Sequence, residues 1–233
     1  MTGGPSRILV VQAASPHVHG SPDTGAEFRE IQRSIDGSQY RDAVTLDSLQ
    51  AARLVDLSDR LIKEVPAVLH FSGRGTPDRG GLRFLTDDGA DAPVCDRGLG
   101  NLLAQFVDEG LRIVVLNACW TSELADLMAV AVPCVIGTAG PIGDQDCRTY
   151  SRTLYSSLAH GRSVGQSHAI AHATAEASGA HPDHLPGLRS SPGTIAGAVH
   201  LIGPEFRAPP PRDSVKPRGG APSWLGIAKK WRL

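Results

Sequence analysis

The sequence predicts an α/β domain: a mostly parallel sheet of about six strands with helices on both faces. Three features predict it. Short apolar runs alternate with amphipathic stretches along the chain, the pattern of strand–helix–strand units. The runs are continuously apolar, as strands buried on both faces read. The chain has 233 residues, 41% hydrophobic and 20% charged, which is enough to close a core without disulfides or metal.

The elements follow in order. Ile8-Leu9-Val10-Val11 is the first strand. A Pro/Gly/Ser/His-rich loop from Ser15 to Gly25 leads to a helix over Ala26 to Ile35, with Asp23 or Thr24 as its cap and Phe28, Ile31 and Ile35 at helical spacing. Ala43 to Leu46 is the second strand, and a helix near Ser48 to Lys63 follows it. Ala67 to Phe71 is the third strand, which enters the glycine-rich turn Ser72-Gly73-Arg74-Gly75. Gly81 to Leu85 and Asp87-Asp88-Gly89 read as a hairpin. A helix near Asp96 to Glu109 precedes the fourth strand, Arg112 to Leu116, which runs into Asn117-Ala118-Cys119. Thr121 caps a helix reaching about Val130, and Pro133 to Gly137 is the fifth strand. Helices follow near Asp144 to Ala159 and Ser163 to Ala177, and Ala196 to Ile202 is expected as an edge strand. Residues 1–203 form the domain, and 204–233 form a proline-rich, basic tail.

Composition excludes several classes. The net charge of −1 gives no electrostatic case for nucleic acid. No apolar run approaches 18 residues, so no transmembrane segment is expected. The N-terminus lacks the pattern of a secretory signal. Cys95, Cys119, Cys134 and Cys147 form no Cys-x-x-Cys pair, which argues against a zinc or disulfide framework and for reduced thiols in a cytoplasmic setting. His168 and His172 lie four apart on a helix, but no third metal ligand accompanies them, so no metal and no cofactor is expected.

Sites in parallel sheets sit beyond the carboxyl ends of the strands. That rule singles out Cys119, where a strong strand ends and a helix begins. Helix amides there would favour a thiolate. It also singles out His70-Phe71-Ser72-Gly73-Arg74-Gly75, whose Arg74 lies 45 residues before Cys119. A histidine about 50 residues upstream of a cysteine is the caspase spacing.

Three blocks make the likeness specific. The first is Ile8 to Ala14 with Glu27 to Gln32. The second is Val68 to Gly75. The third is Val114 to Cys119, followed by Val135-Ile136-Gly137 and Ile142-Gly143-Asp144. In order and spacing they resemble the CHAT domain, a bacterial caspase-like family of cysteine peptidases found in defence and programmed cell death. The resemblance implies a caspase-like fold and Cys119 as nucleophile. It also implies backbone amides near Gly75 and Cys119 holding the oxyanion, and a peptide or protein as substrate or partner. The family's second block reads His-Phe-Ser-Gly-His-Gly, and its second histidine is the catalytic partner. Here that position is Arg74.

Arginine stays protonated above about pH 12. It could favour a thiolate by charge, but it cannot pass a proton to a leaving amine. The expectation is therefore a weakly active or inactive peptidase site, with a non-catalytic interaction module as the alternative. His70 is a poor substitute base, because four extended residues place it roughly 13 Å away. Its plainer reading is a core histidine. His17 and His19 in the first loop are further candidates. Asp144, Asp146 and His70 are assigned to the substrate side, where a carboxylate favours Arg or Lys. For Asp144 a helix cap is the plainer role. Trp224 to Leu233, aromatic and basic, could dock on a partner. A nucleotide-binding domain is disfavoured, since no glycine-rich phosphate loop follows the first strand.

Overall fold

All five of the first apolar runs become strands of one sheet. The computed structural model describes residues 4–14, 21–75 and 81–207. The elements are β1 (Ser6–Ala13), α1 (Thr24–Asp36), β2 (Val44–Leu49), α2 (Leu54–Lys63), β3 (Val68–Gly73), β4 (Arg83–Leu85), β5 (Asp91–Pro93) and α3 (Asp96–Ala104). They continue with β6 (Ile113–Asn117), α4 (Ser122–Met128), β7 (Cys134–Gly137), α5 (Asp144–Ala159), α6 (Val164–Ala177), β8 (Gly187–Ser190) and α7 (Pro204–Arg207). The main sheet runs β2-β1-β3-β6-β7-β8, and β4-β5 is a separate hairpin. Within the main sheet the first four pairings are parallel and β7–β8 is antiparallel. This is the mostly parallel α/β sheet of six strands that the alternation predicts.

Strand alternation divides the core in two. Leu9, Val11, Leu69, Phe71, Val114 and Leu116 face one layer, with Leu57 and Leu61 of α2, Leu99 and Leu103 of α3 and Leu124 of α4. Ile8, Val10, Val68, Ile113 and Val115 face the other, with Ile31 and Ile35 of α1, Leu154 and Leu158 of α5 and Ala171 of α6. Side chains at His70, Ser72 and Asn117 share the alternation of Val68 and Ile113, so three polar groups point toward α1 and α5. Asp23 caps α1 by accepting from the Ala26 amide, and Ser163 caps α6 through Gln166.

The sixth strand differs from expectation. Ala196 to Ile202 is not an edge strand; that place belongs to β8, Gly187–Ser190. Leu201 and Ile202 are fully buried, which explains their apolar character. The backbone of this segment, however, is bonded outside any ladder. The Ser6 hydroxyl donates to the Leu201 carbonyl and the Arg112 guanidinium to that of His200. The Val164 and Gly165 amides donate to Val199 and Ala196. Apolar content marked burial here, and the hydrogen-bond partners decided the form. Two helices are also shorter than expected. β2 runs through Leu49, so α2 begins only at Leu54, and α3 ends at Ala104, with turns to Gly110. Phe206 of α7 packs on the α1/α5 layer.

Candidate active site

The ends of β3 and β6 and the start of α5 meet at a pocket of about 280 Å³. Its wall includes Glu27, Arg74, Gly75, Cys119, Asp144 and Cys147. Sequence positions 74, 75, 119 and 144 are thus brought together.

A hydroxyl network holds the Cys119 turn. β6 ends at Asn117, and Trp120 takes φ 60°, a left-handed conformation unusual outside glycine. The Thr121 hydroxyl donates back to the carbonyls of Leu116 and Ala118, and the Thr138 hydroxyl also donates to Ala118. The Thr138 amide donates to the Thr121 hydroxyl at 3.0 Å. Two expectations need correction. Thr121 stands at the cap position of α4, but its hydroxyl does not cap the helix. The Thr121 and Ser122 amides donate to the Thr138 carbonyl at 2.8 and 2.9 Å. Those amides are therefore spent on β7's exit loop and do not face the thiol. Cys119 Sγ instead lies 4.0 Å from the Ile142 carbonyl oxygen.

Gly75 touches this turn through its backbone. A Cβ there would lie 1.7 Å from the Cys119 carbonyl oxygen. Only a residue without a side chain allows so close an approach. We expect Gly75→Ala to push the β3 and β6 loops apart and destabilise the protein by about 1–3 kcal/mol. Urea denaturation measures the loss. An unchanged midpoint would show that the two loops do not rely on this contact.

Glu27 forms the pocket's buried floor. Only 5% of this residue is exposed. Its carboxylate accepts from His70 Nε2 at 3.1 Å, Ser151 Oγ at 2.8 Å, Ser72 Oγ at 2.5 Å and Asn117 Nδ2. Burial alone would raise this carboxyl. The charge and hydrogen bond of His70, with the hydroxyls of Ser72 and Ser151, outweigh burial and hold it below the ordinary glutamate value. His70 is fully buried, and its other ring nitrogen lies 3.0 Å from the Tyr155 hydroxyl. Both nitrogens are occupied inside the core. His70 does not line the pocket, so its assignment to the substrate side is corrected to a core role beneath it.

The α5 start supplies the rest. Gly143 occupies the cap position, which leaves the carboxylate of Asp144 at the pocket. Asp146 does not line it; its carboxylate folds back to within 3.5 Å of where a Gly143 Cβ would stand. Cys147, one turn into α5, lines the pocket and was not singled out from sequence. Burial above all, with the neighbouring carboxylates of Glu27, Asp144 and Asp146, pushes its thiol well above the ordinary range. Only its place one helical turn after the Ile142-Gly143-Asp144 loop could have signalled it. Arg74 is half-buried, and its Nη1 is buried without a hydrogen-bond partner among the described residues. His168 bonds Tyr150 at 2.7 Å. His17, His19 and the Trp224 to Leu233 segment lie outside the described residues.

No helix among the described residues is long and apolar enough to cross a membrane. A family model for the CHAT domain matches residues 4–205. No curated protein matches the chain.

Proposed function

Because this chain belongs to the CHAT domain family, a caspase-like, peptidase-related family, we propose that it is a peptide-recognising domain with a Cys119 site that cleaves slowly or not at all. The observation that carries this reading is that Arg74, at the position where the sequence resemblance puts the family's histidine, lines the pocket with Cys119. No described histidine lines that pocket, and His70 has both ring nitrogens engaged in the core.

A cysteine peptidase must protonate the departing amine. A guanidinium holds its proton too tightly for that task. What remains is a thiol, backbone at Gly75 and Cys119 able to meet a carbonyl, and Asp144 to attract a basic side chain. Such a pocket binds a peptide better than it turns one over. The cytoplasmic setting and the role in bacterial defence or programmed cell death are parts of this proposal.

The test is incubation of the unaltered protein with internally quenched peptides carrying Arg or Lys. We expect cleavage at or near background, with the peptides still bound. Robust cleavage that Cys119→Ala abolishes would overturn the reading.

A further inference from the structure

Arg74, after β3, and Asp144, at the start of α5, reach one pocket and ion-pair neither with each other nor with any other described residue. Glu27 shares the pocket but makes no ion pair with Arg74; its carboxylate is held by four other donors, three on Oε1 and one on Oε2. The pocket thus offers one uncommitted cation and one uncommitted anion. The buried Nη1 of Arg74 meets no acceptor among the described residues, and an acceptor brought there by a ligand would offset its desolvation.

The ligand that matches bears both charges. A guanidinium fork suits a planar carboxylate. Phosphate, with its higher negative charge, fits less well than a single carboxylate, since Glu27 and Asp144 already place two carboxylates around the same small space. At about 280 Å³ the pocket is at the small end for ligand sites. It suits one residue rather than an extended segment. Arg74 shares this wall with Cys119, where the carbonyl of a bound residue would lie. An uncleaved peptide has a neutral amide at that point. A chain end has a carboxylate.

We infer that the pocket binds the C-terminal residue of a peptide ending in Arg or Lys, with the terminal carboxylate on Arg74 and the basic side chain on Asp144. The inference rests on the peptide-binding reading above and narrows it. The substituted arginine makes the domain a reader of chain ends, the products left by a peptidase that cleaves after basic residues.

The test is fluorescence anisotropy with the full chain and three labelled tetrapeptides. One is three alanines and a C-terminal arginine as the free acid. The second is the same peptide as the carboxamide. The third is tetra-alanine as the free acid. The arginine acid should bind at least about tenfold more tightly than either of the others. Arg74→Gln should erase the acid-over-amide preference, and Asp144→Asn the arginine-over-alanine preference. Arg74→Lys should restore part of the first. Equal binding of acid and amide to the unaltered protein overturns the inference and leaves the peptide-binding reading standing, with no variant needed. Failure of all three to bind at millimolar concentration overturns both.

Discussion

Replacing Arg74 with histidine is expected to raise the rate of peptide cleavage by about 10²–10⁴-fold, the ordinary worth of a positioned general acid–base. The reason lies in what the pocket already has. Cys119 is fixed by the Thr121 and Thr138 hydroxyls, and Gly75 holds the neighbouring loop against its carbonyl. The backbone that carries position 74 is therefore placed independently of the side chain it bears. An imidazole there could take the thiol proton and return it to the leaving amine. The rate of the Arg74→His protein should rise with pH through the imidazole range near 6.5, and the unaltered protein should show no such dependence. A second change, Cys119→Ala, should return the rate to background. The same histidine should also weaken binding of a free carboxylate terminus, because a neutral ring replaces a permanent cation. A well-folded Arg74→His protein with no added turnover would place the defect elsewhere in the site.

The sheet was legible because four of its five parallel strands, β1, β3, β6 and β7, are buried on both faces, and a strand so placed reads as a largely apolar run, whereas the edge strand β2 is only half-buried. Ala196 to Ile202 misled for the same reason. Burial is written in composition, whereas the partners of a backbone amide are not. The meeting of Arg74, Cys119 and Asp144 followed from the rule that strand ends share a rim. Three things were hidden. Cys147 gains its position only from the packing of α5 beside the β6 exit. The Thr121 hydroxyl turns away from its helix because Thr138, 17 residues later, faces it. Glu27, read only as part of a motif block on an amphipathic helix, becomes a buried hub because β3 and β6 aim three polar groups at it. A period-2 reading of His70, Ser72 and Asn117 together would have called for such an acceptor.

That hub yields the largest expected effect on stability. Glu27→Ala removes one carboxylate and leaves His70, Ser72, Asn117 and Ser151 buried without their shared acceptor. Removing one member of a buried charged network costs about 3–5 kcal/mol, chiefly because the others are left unmet. Urea denaturation should show a loss of that size, and a loss under about 1 kcal/mol would mean that water or neighbouring groups replace the carboxylate. Glu27→Gln keeps the shape and tests the charge where the alanine protein fails to fold. The sign of its pH dependence is fixed by the direction of the shift. Glu27 sits below its ordinary value of 4.5 in the folded protein, so its charge stabilises the fold fully above that value. The contribution is lost as pH falls through the lower folded value. The stability difference between the unaltered and Glu27→Gln proteins should therefore be greatest near neutral pH and shrink below about pH 4.5. A difference that stays constant from pH 7 to pH 3 would show that the two proteins differ in packing alone.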